Sequence, residues 1–174
     1  MRHVTLITTG GTIEKTYDES TGSLANKRSL VRQMLKRLRL EDVSINIVEL
    51  MSKDSLEFTD EDRTRIVDAV RTFGGEAGST LDTDGIVILH GTDTLDQTGE
   101  WLHTKIKQPR VPIVLTGAMR PYEMTRSDAL QNLTEAIFAS GVLPPGVYCT
   151  AHGRALPFPG VVKDRTRHTF KRQE

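Results

Sequence analysis

Residues 4–17 read VTLITTGGTIEKTY. Six residues rich in β-branched side chains run straight into Gly10 and Gly11, and the loop beyond holds Thr12, Thr16 and Tyr17. A short apolar run of this kind, bounded by glycine, is how a buried strand reads. A turn alone needs one glycine at most. A second glycine followed by hydroxyls points to a backbone that comes close to something else.

The same grammar recurs along the chain. Residues 43–50 (VSINIVEL), 85–90 (GIVILH), 111–116 (VPIVLT) and 146–151 (GVYCTA) are strand-like, and helical spacing separates them. Leu30, Val31, Met34, Leu35 and Leu38 fall on one helical face. Thr59 and Asp62 have the spacing of a capping box that opens a second helix, carried by Ile66, Val67 and Val70. A third helix is predicted over 95–107. A fourth is predicted over 128–139, with Leu130, Leu133, Ala136 and Ile137 on one side. Strand and helix in alternation predict a doubly wound α/β fold with a mainly parallel sheet, Rossmann- or flavodoxin-like. Such sheets bind ligands outside the carboxyl ends of their strands, where the strand order reverses.

Composition narrows the function classes. The 174 residues suit one domain, and the glycine-rich stretch 74–79 reads as a connection within it. Lys plus Arg number 23, as do Asp plus Glu, so net charge indicates neither a nucleic-acid nor a membrane partner. Cys149 is the one cysteine; with Val147 and Tyr148 beside it, it reads as a buried thiol, with no disulfide or cysteine-based zinc site. His3, His90, His103, His152 and His168 show no HxH or HxxxH spacing, so no metal is expected. GGTIEK is not GxGxxG, which removes the dinucleotide reading. No apolar run nears the ~18 residues of a membrane span, and the start lacks a secretory layout, so a cytoplasmic location is expected. After residue 160 the rhythm breaks down. The basic stretch holding Lys163, Arg165, Arg167, Lys171 and Arg172 reads as a solvated terminus in preference to an RNA-binding segment.

Chemistry gathers in the loops that follow the strands. The first carries Gly10, Gly11 and Thr12; the second Ser52, Lys53, Asp54 and Ser55; the third Gly91, Thr92, Asp93 and Thr94; the fourth Gly117, Ala118, Met119 and Arg120. Glycine lets backbone N–H groups approach a substrate and face a developing oxyanion. A threonine hydroxyl becomes a nucleophile once a lysine or tyrosine takes its proton. Taken singly, each loop has an ordinary reading: a tight turn at Gly10-Gly11, a helix N-cap at Thr92-Asp93, a plain loop at 52–55. Their convergence on one rim of the sheet favours chemistry.

TTGGTIEKTYD, ILHGTDTL and VLTGAMRPYEMTRSDALQNL resemble the signature segments of the bacterial L-asparaginase family (asparaginase/glutaminase type), in order along nearly the whole chain. The likeness extends to short members that hold little more than the amino-terminal domain, without the smaller carboxy-terminal one. The resemblance implies that fold, a single catalytic domain over 1–174, no cofactor, a homo-oligomer (dimer or tetramer) and L-asparagine as substrate. It assigns Thr12 as acylated nucleophile, Tyr17 as its helper, Thr92 and Asp93 as the second threonine and its aspartate, and Lys163 as their lysine partner. Substrate contacts fall on Gly11, Ser52, Lys53, Gly91, Thr92, Asp93 and Ala118, with Lys53 standing where many relatives carry glutamine. Two other readings remain: glutamine as the amide (in a glutaminase or an amidotransferase-type subunit), and a non-catalytic amino-acid-binding domain.

Overall fold

A computed structural model describes residues 1–173 of the chain. In chain order the elements are β1 (Arg2–Gly10), β2 (Thr16–Asp18), β3 (Ser23–Ala25), α1 (Val31–Leu35), β4 (Val43–Lys53), α2 (Asp60–Thr72) and β5 (Gly85–Leu89). There follow α3 (Leu95–Lys105), β6 (Pro112–Thr116), α4 (Ala129–Val142), β7 (Gly146–Ala151), β8 (Arg154–Pro157), β9 (Val161–Asp164) and β10 (Thr169–Arg172). The main sheet has the order β4-β1-β5-β6-β7-β8. Its pairs are parallel as far as β7, and only the β7–β8 pair is antiparallel. The chain leaves β1 to build β4 on one side and returns to build β5 on the other. The strand order therefore reverses between β1 and β5, and loops following these two strands part at that point.

Both sheet faces are covered, which is why the strands read as continuous apolar runs. Ile7, Ile86, Ile88, Ile113 and Leu115 pack with Ile66, Val67 and Val70 of α2 and Leu95 and Leu102 of α3. Their strand neighbours Leu6, Val87, Leu89 and Val114 point the other way, toward Val31 and Met34 of α1 and Leu133, Ala136 and Ile137 of α4. Cys149 is fully buried in the first of these layers, and burial pushes its thiol pKa up, as suits a packing role. The expected capping box is formed: Thr59 Oγ1 accepts the Asp62 N–H at 3.3 Å, and Asp62 Oδ2 accepts the Thr59 N–H at 3.0 Å.

Two expectations need correction. The first helix is shorter than its apolar spacing predicts, ending at Leu35. The segment after residue 160 is no solvated terminus: β9 and β10 form an antiparallel hairpin. Val161 and Phe170 anchor it, at 1% and 2% exposure, in the layer that also holds α2 and α3. Two apolar anchors nine positions apart leave no periodic trace among so many basic residues.

Candidate active site

The loop after β1 owes its shape to close main-chain approach. Gly11 has φ 81°, the left-handed region, and a Cβ there would lie 2.4 Å from the Gly91 nitrogen. No other residue fits between these two strand ends. The Gly11 N–H donates to the Lys53 carbonyl at 2.9 Å, and its own carbonyl accepts from Asn26 Nδ2 at 2.8 Å. The expectation that Gly11 offers its N–H to a ligand is corrected accordingly: that donor already pairs with the end of β4. What Gly11 contributes is proximity, which sets half-buried Thr12 beside the loop after β5. One turn further on, Glu14 is buried and its carboxylate accepts from Ser29 Oγ and from the Leu30 N–H, pinning the entry to α1. Burial pushes its pKa up.

After β5 comes His90, fully buried. Its Nδ1 lies 2.8 Å from the Gly91 carbonyl and its Nε2 2.8 Å from Thr98 Oγ1. A carbonyl only accepts, so Nδ1 carries the proton and Nε2 accepts from the threonine. Burial pushes the imidazole pKa down to about 4, so His90 is a neutral strut holding the Gly91 carbonyl. Ser55 packs against Gly91 from the β4 side, and Thr94 Oγ1 donates to the Ser55 carbonyl at 2.9 Å.

Thr92 and Asp93 meet Lys163 here. The Lys163 ammonium donates to Thr92 Oγ1 and to Asp93 Oδ1, each at 2.8 Å, across about seventy residues of sequence. The lysine side chain is 13% exposed and Thr92 is buried. Lys163 reaches them because its hairpin lies over the start of α3, where its own N–H faces Asp96 Oδ2 at 3.4 Å. The Lys163 ammonium, and with it the Arg165 guanidinium, holds the Asp93 carboxyl below the usual carboxylate range. Asp93 is therefore a carboxylate at neutral pH.

The remaining predicted residues are arranged less tightly. Ser52 is exposed at the end of β4, in a cleft of about 320 Å³ with Glu14, Arg28, Glu49 and others. The Lys53 side chain turns away to Asp62, 2.7 Å, so what it gives the rim is its backbone. Lys15 is likewise paired with Asp54 at 2.6 Å. Tyr17 lies on the β2–β3 hairpin, 60% exposed, with its hydroxyl over Gly22, apart from the Thr92–Lys163 group. Ala118, buried after β6, belongs to a loop fixed by Asp128: its carboxylate accepts the Met119 and Arg120 N–H groups at 3.0 Å each and lies 2.7 Å from His152 Nε2. Burial works against that charge, yet these donors keep the Asp128 pKa below the usual range. Asp128, His152 and Arg165 are the members of this rim that spacing does not single out as site residues. Only their contacts across the fold reveal them. Among the described residues no group of His, Cys, Asp and Glu is placed to hold a metal ion, and no helix is long and apolar enough to cross a membrane.

Residues 3–172 match the family model described as Asparaginase, N-terminal. An L-asparaginase from Thermococcus kodakarensis is 35% identical over 140 residues, 80% of this chain and 41% of that protein. A glutamyl-tRNA(Gln) amidotransferase subunit from Methanobrevibacter smithii is 30% identical over 142 residues, 80% of this chain and 31% of the relative. The solved thermostable L-asparaginase from Thermococcus kodakarensis superposes with a TM-score of 0.85 at 30% identity, covering 98% of this chain and 51% of that one. The chain thus spans about half the length, or less, of the proteins it matches.

Proposed function

This chain belongs to the asparaginase family, and we propose that it is an amidohydrolase that converts L-asparagine to L-aspartate and ammonia through a threonine acyl-enzyme. The observation that carries this reading is the Lys163–Thr92–Asp93 contact, half-buried beside the Gly10–Thr12 loop where the strand order reverses. We read residues 1–174 as one catalytic domain of the amino-terminal asparaginase type.

In this reading Thr12 Oγ1 attacks the side-chain amide carbon, and its proton passes, with help from Tyr17, to the departing nitrogen. With the Gly11 N–H engaged by Lys53, oxyanion stabilisation falls to the N–H groups of Thr12 and Thr92. Ammonia leaves and Thr12 is left as an ester. Water then attacks the same carbon as its proton passes through the Thr92 hydroxyl, which the Lys163 ammonium orients, to Thr12 Oγ1; aspartate departs and the Thr12 hydroxyl is restored. Ser52 and Asp93 receive the substrate's carboxylate and ammonium. No step calls for a cofactor. We further read the protein as cytoplasmic and homo-oligomeric, with exposed Phe138 and Val142 of α4 as a surface suited to self-association.

The amidotransferase relative supports a second reading, in which glutamine is the amide donor. Ammonia release from asparagine and from glutamine by the purified chain separates the two. Thr12→Ala is expected to lower kcat by about a thousandfold or more on the true substrate while the thermal transition stays in place. Near wild-type release by that variant would remove Thr12 as nucleophile.

A further inference from the structure

Both cations near Asp93 converge on one of its oxygens. Lys163 Nζ and Arg165 Nη1 lie 2.8 and 2.9 Å from Asp93 Oδ1. They arrive together because Arg165 opens the turn that directly follows the strand carrying Lys163. Arg165 stands just past the end of β9, in a turn that Asp164 holds by accepting the N–H groups of Thr166 and Arg167 at 3.1 and 3.0 Å. Its side chain is 67% exposed and has one hydrogen bond to protein, so most of its five N–H donors remain open to a ligand. The other lysines of this rim are matched one to one, Lys15 with Asp54 and Lys53 with Asp62. Arg165 differs from these lysines in being mostly exposed, and an exposed pair such as Arg165–Asp93 holds it weakly enough to turn to a ligand.

An α-amino acid carries an ammonium and a carboxylate on one carbon. A carboxylate and a guanidinium side by side present the opposite charges in the same arrangement. We propose that Arg165 is a specificity-determining residue that joins Ser52 in receiving the substrate's α-carboxylate, while Asp93 Oδ2 receives the ammonium. This rests on the amidohydrolase reading above and deepens it. Planar guanidinium adds to the single Ser52 hydroxyl the bidentate geometry that suits a carboxylate, and the averted Lys53 does not supply it. The substrates selected are ω-amides of free α-amino acids, and an amide whose α-carboxylate is blocked or missing is rejected.

The test uses the full chain and three amides: L-asparagine, succinamic acid (carboxylate, no ammonium) and 3-aminopropanamide (ammonium, no carboxylate). Arg165→Ala is expected to raise KM for asparagine and succinamic acid roughly 10- to 100-fold, the loss of one charge-assisted hydrogen bond. It should leave kcat for these two, and KM for 3-aminopropanamide, unchanged. Arg165→Lys should recover part of the loss. Equal effects on all three amides would overturn the proposal. So would the same split in Arg28→Ala, which removes the exposed arginine that lines the cleft beside Ser52. If the wild type releases ammonia from none of them, the functional reading fails and calorimetry decides the inference. Arg165→Ala must then lose affinity for L-aspartate but not for β-alanine, which lacks the α-carboxylate. Unchanged affinity for aspartate, or no aspartate binding by the wild type, would refute it.

Discussion

The two sides of this site are built by different physics. Thr12 and Thr92 sit on strand ends fixed by main chain: Gly11 abuts Gly91, its N–H pairs with the Lys53 carbonyl, and neutral His90 braces the Gly91 carbonyl. Lys163 and Arg165 arrive on a hairpin outside the sheet. That hairpin is held by two apolar anchors and by side-chain contacts to Thr92, Asp93 and Asp96. The first side is rigid because the sheet is. The second is only as well placed as its side chains are, so its substitutions should separate chemistry from folding more cleanly.

The sharpest such substitution is Lys163→Met, which keeps the aliphatic stem and removes the ammonium. We expect kcat to fall about 10²- to 10³-fold, the scale of a lost charged donor that orients and stabilises the reacting groups, with the thermal transition almost unmoved. Removing the chain after Gly160 asks a blurrier question. It takes Val161 and Phe170 out of the core as well, and burying side chains of that size stabilises by about 1.5–3 kcal/mol each. Near-normal turnover by Lys163→Met would make the hairpin a scaffold and erase the contrast.

A smaller effect is expected at the joint between the two sides. Asp128 holds the Ala118 loop through the Met119 and Arg120 N–H groups and touches His152, whose Nδ1 lies 2.8 Å from Thr169 Oγ1 on β10. Asn at this position keeps one oxygen but turns an NH2 toward other donors. We expect Asp128→Asn to cost about 1–3 kcal/mol in stability and to lower kcat/KM several-fold, read by denaturant unfolding and steady-state kinetics. The sign with pH follows from the lowered pKa. This carboxylate's contribution is present above the ordinary aspartate value and is lost as pH falls through the depressed one. The variant and the wild type should therefore converge in stability toward acid.

The same division explains what the sequence discloses. β1, β5, β6 and most of β7 announce themselves because both of their faces are buried, whereas the edge strand β4 is only half-buried; β1, β4, β5 and β6 end at the loops where Thr12, Ser52, Thr92 and Ala118 stand. Thr59 and Asp62 name their own helix, since a capping box is local. The hairpin is different. Val161 and Phe170 are buried by tertiary contact, and the basic residues between them look solvated until Asp93 is placed opposite. Lys163 entered the site only through the resemblance to a family. Arg165, Asp128 and His152 became visible only when residues far apart in sequence met.

The smallest expected effect lies on the rigid side, at Glu14. Two residues beyond Thr12, its carboxyl is buried with Ser29 and Leu30 as donors and with Glu49 adding a like charge. Burial is the main cause that raises its pKa. The native state therefore holds its proton more tightly than the unfolded chain, and stability declines as pH climbs from the ordinary glutamate value through the raised one. Glutamine has the same shape and still accepts from Leu30 and Ser29, without a charge to desolvate. Glu14→Gln should thus match the wild type in acid and exceed it at neutral pH, by no more than about 1 kcal/mol, with turnover little changed because Gly11 and His90 position the loop independently. Thermal unfolding of both proteins between pH 4 and about 8 is the measurement. A variant that is less stable at neutral pH would mean that the charge itself, donated to by Ser29 and Leu30, holds the nucleophile loop. The rigid side would then depend on side-chain electrostatics as the hairpin does, and the contrast between them would narrow.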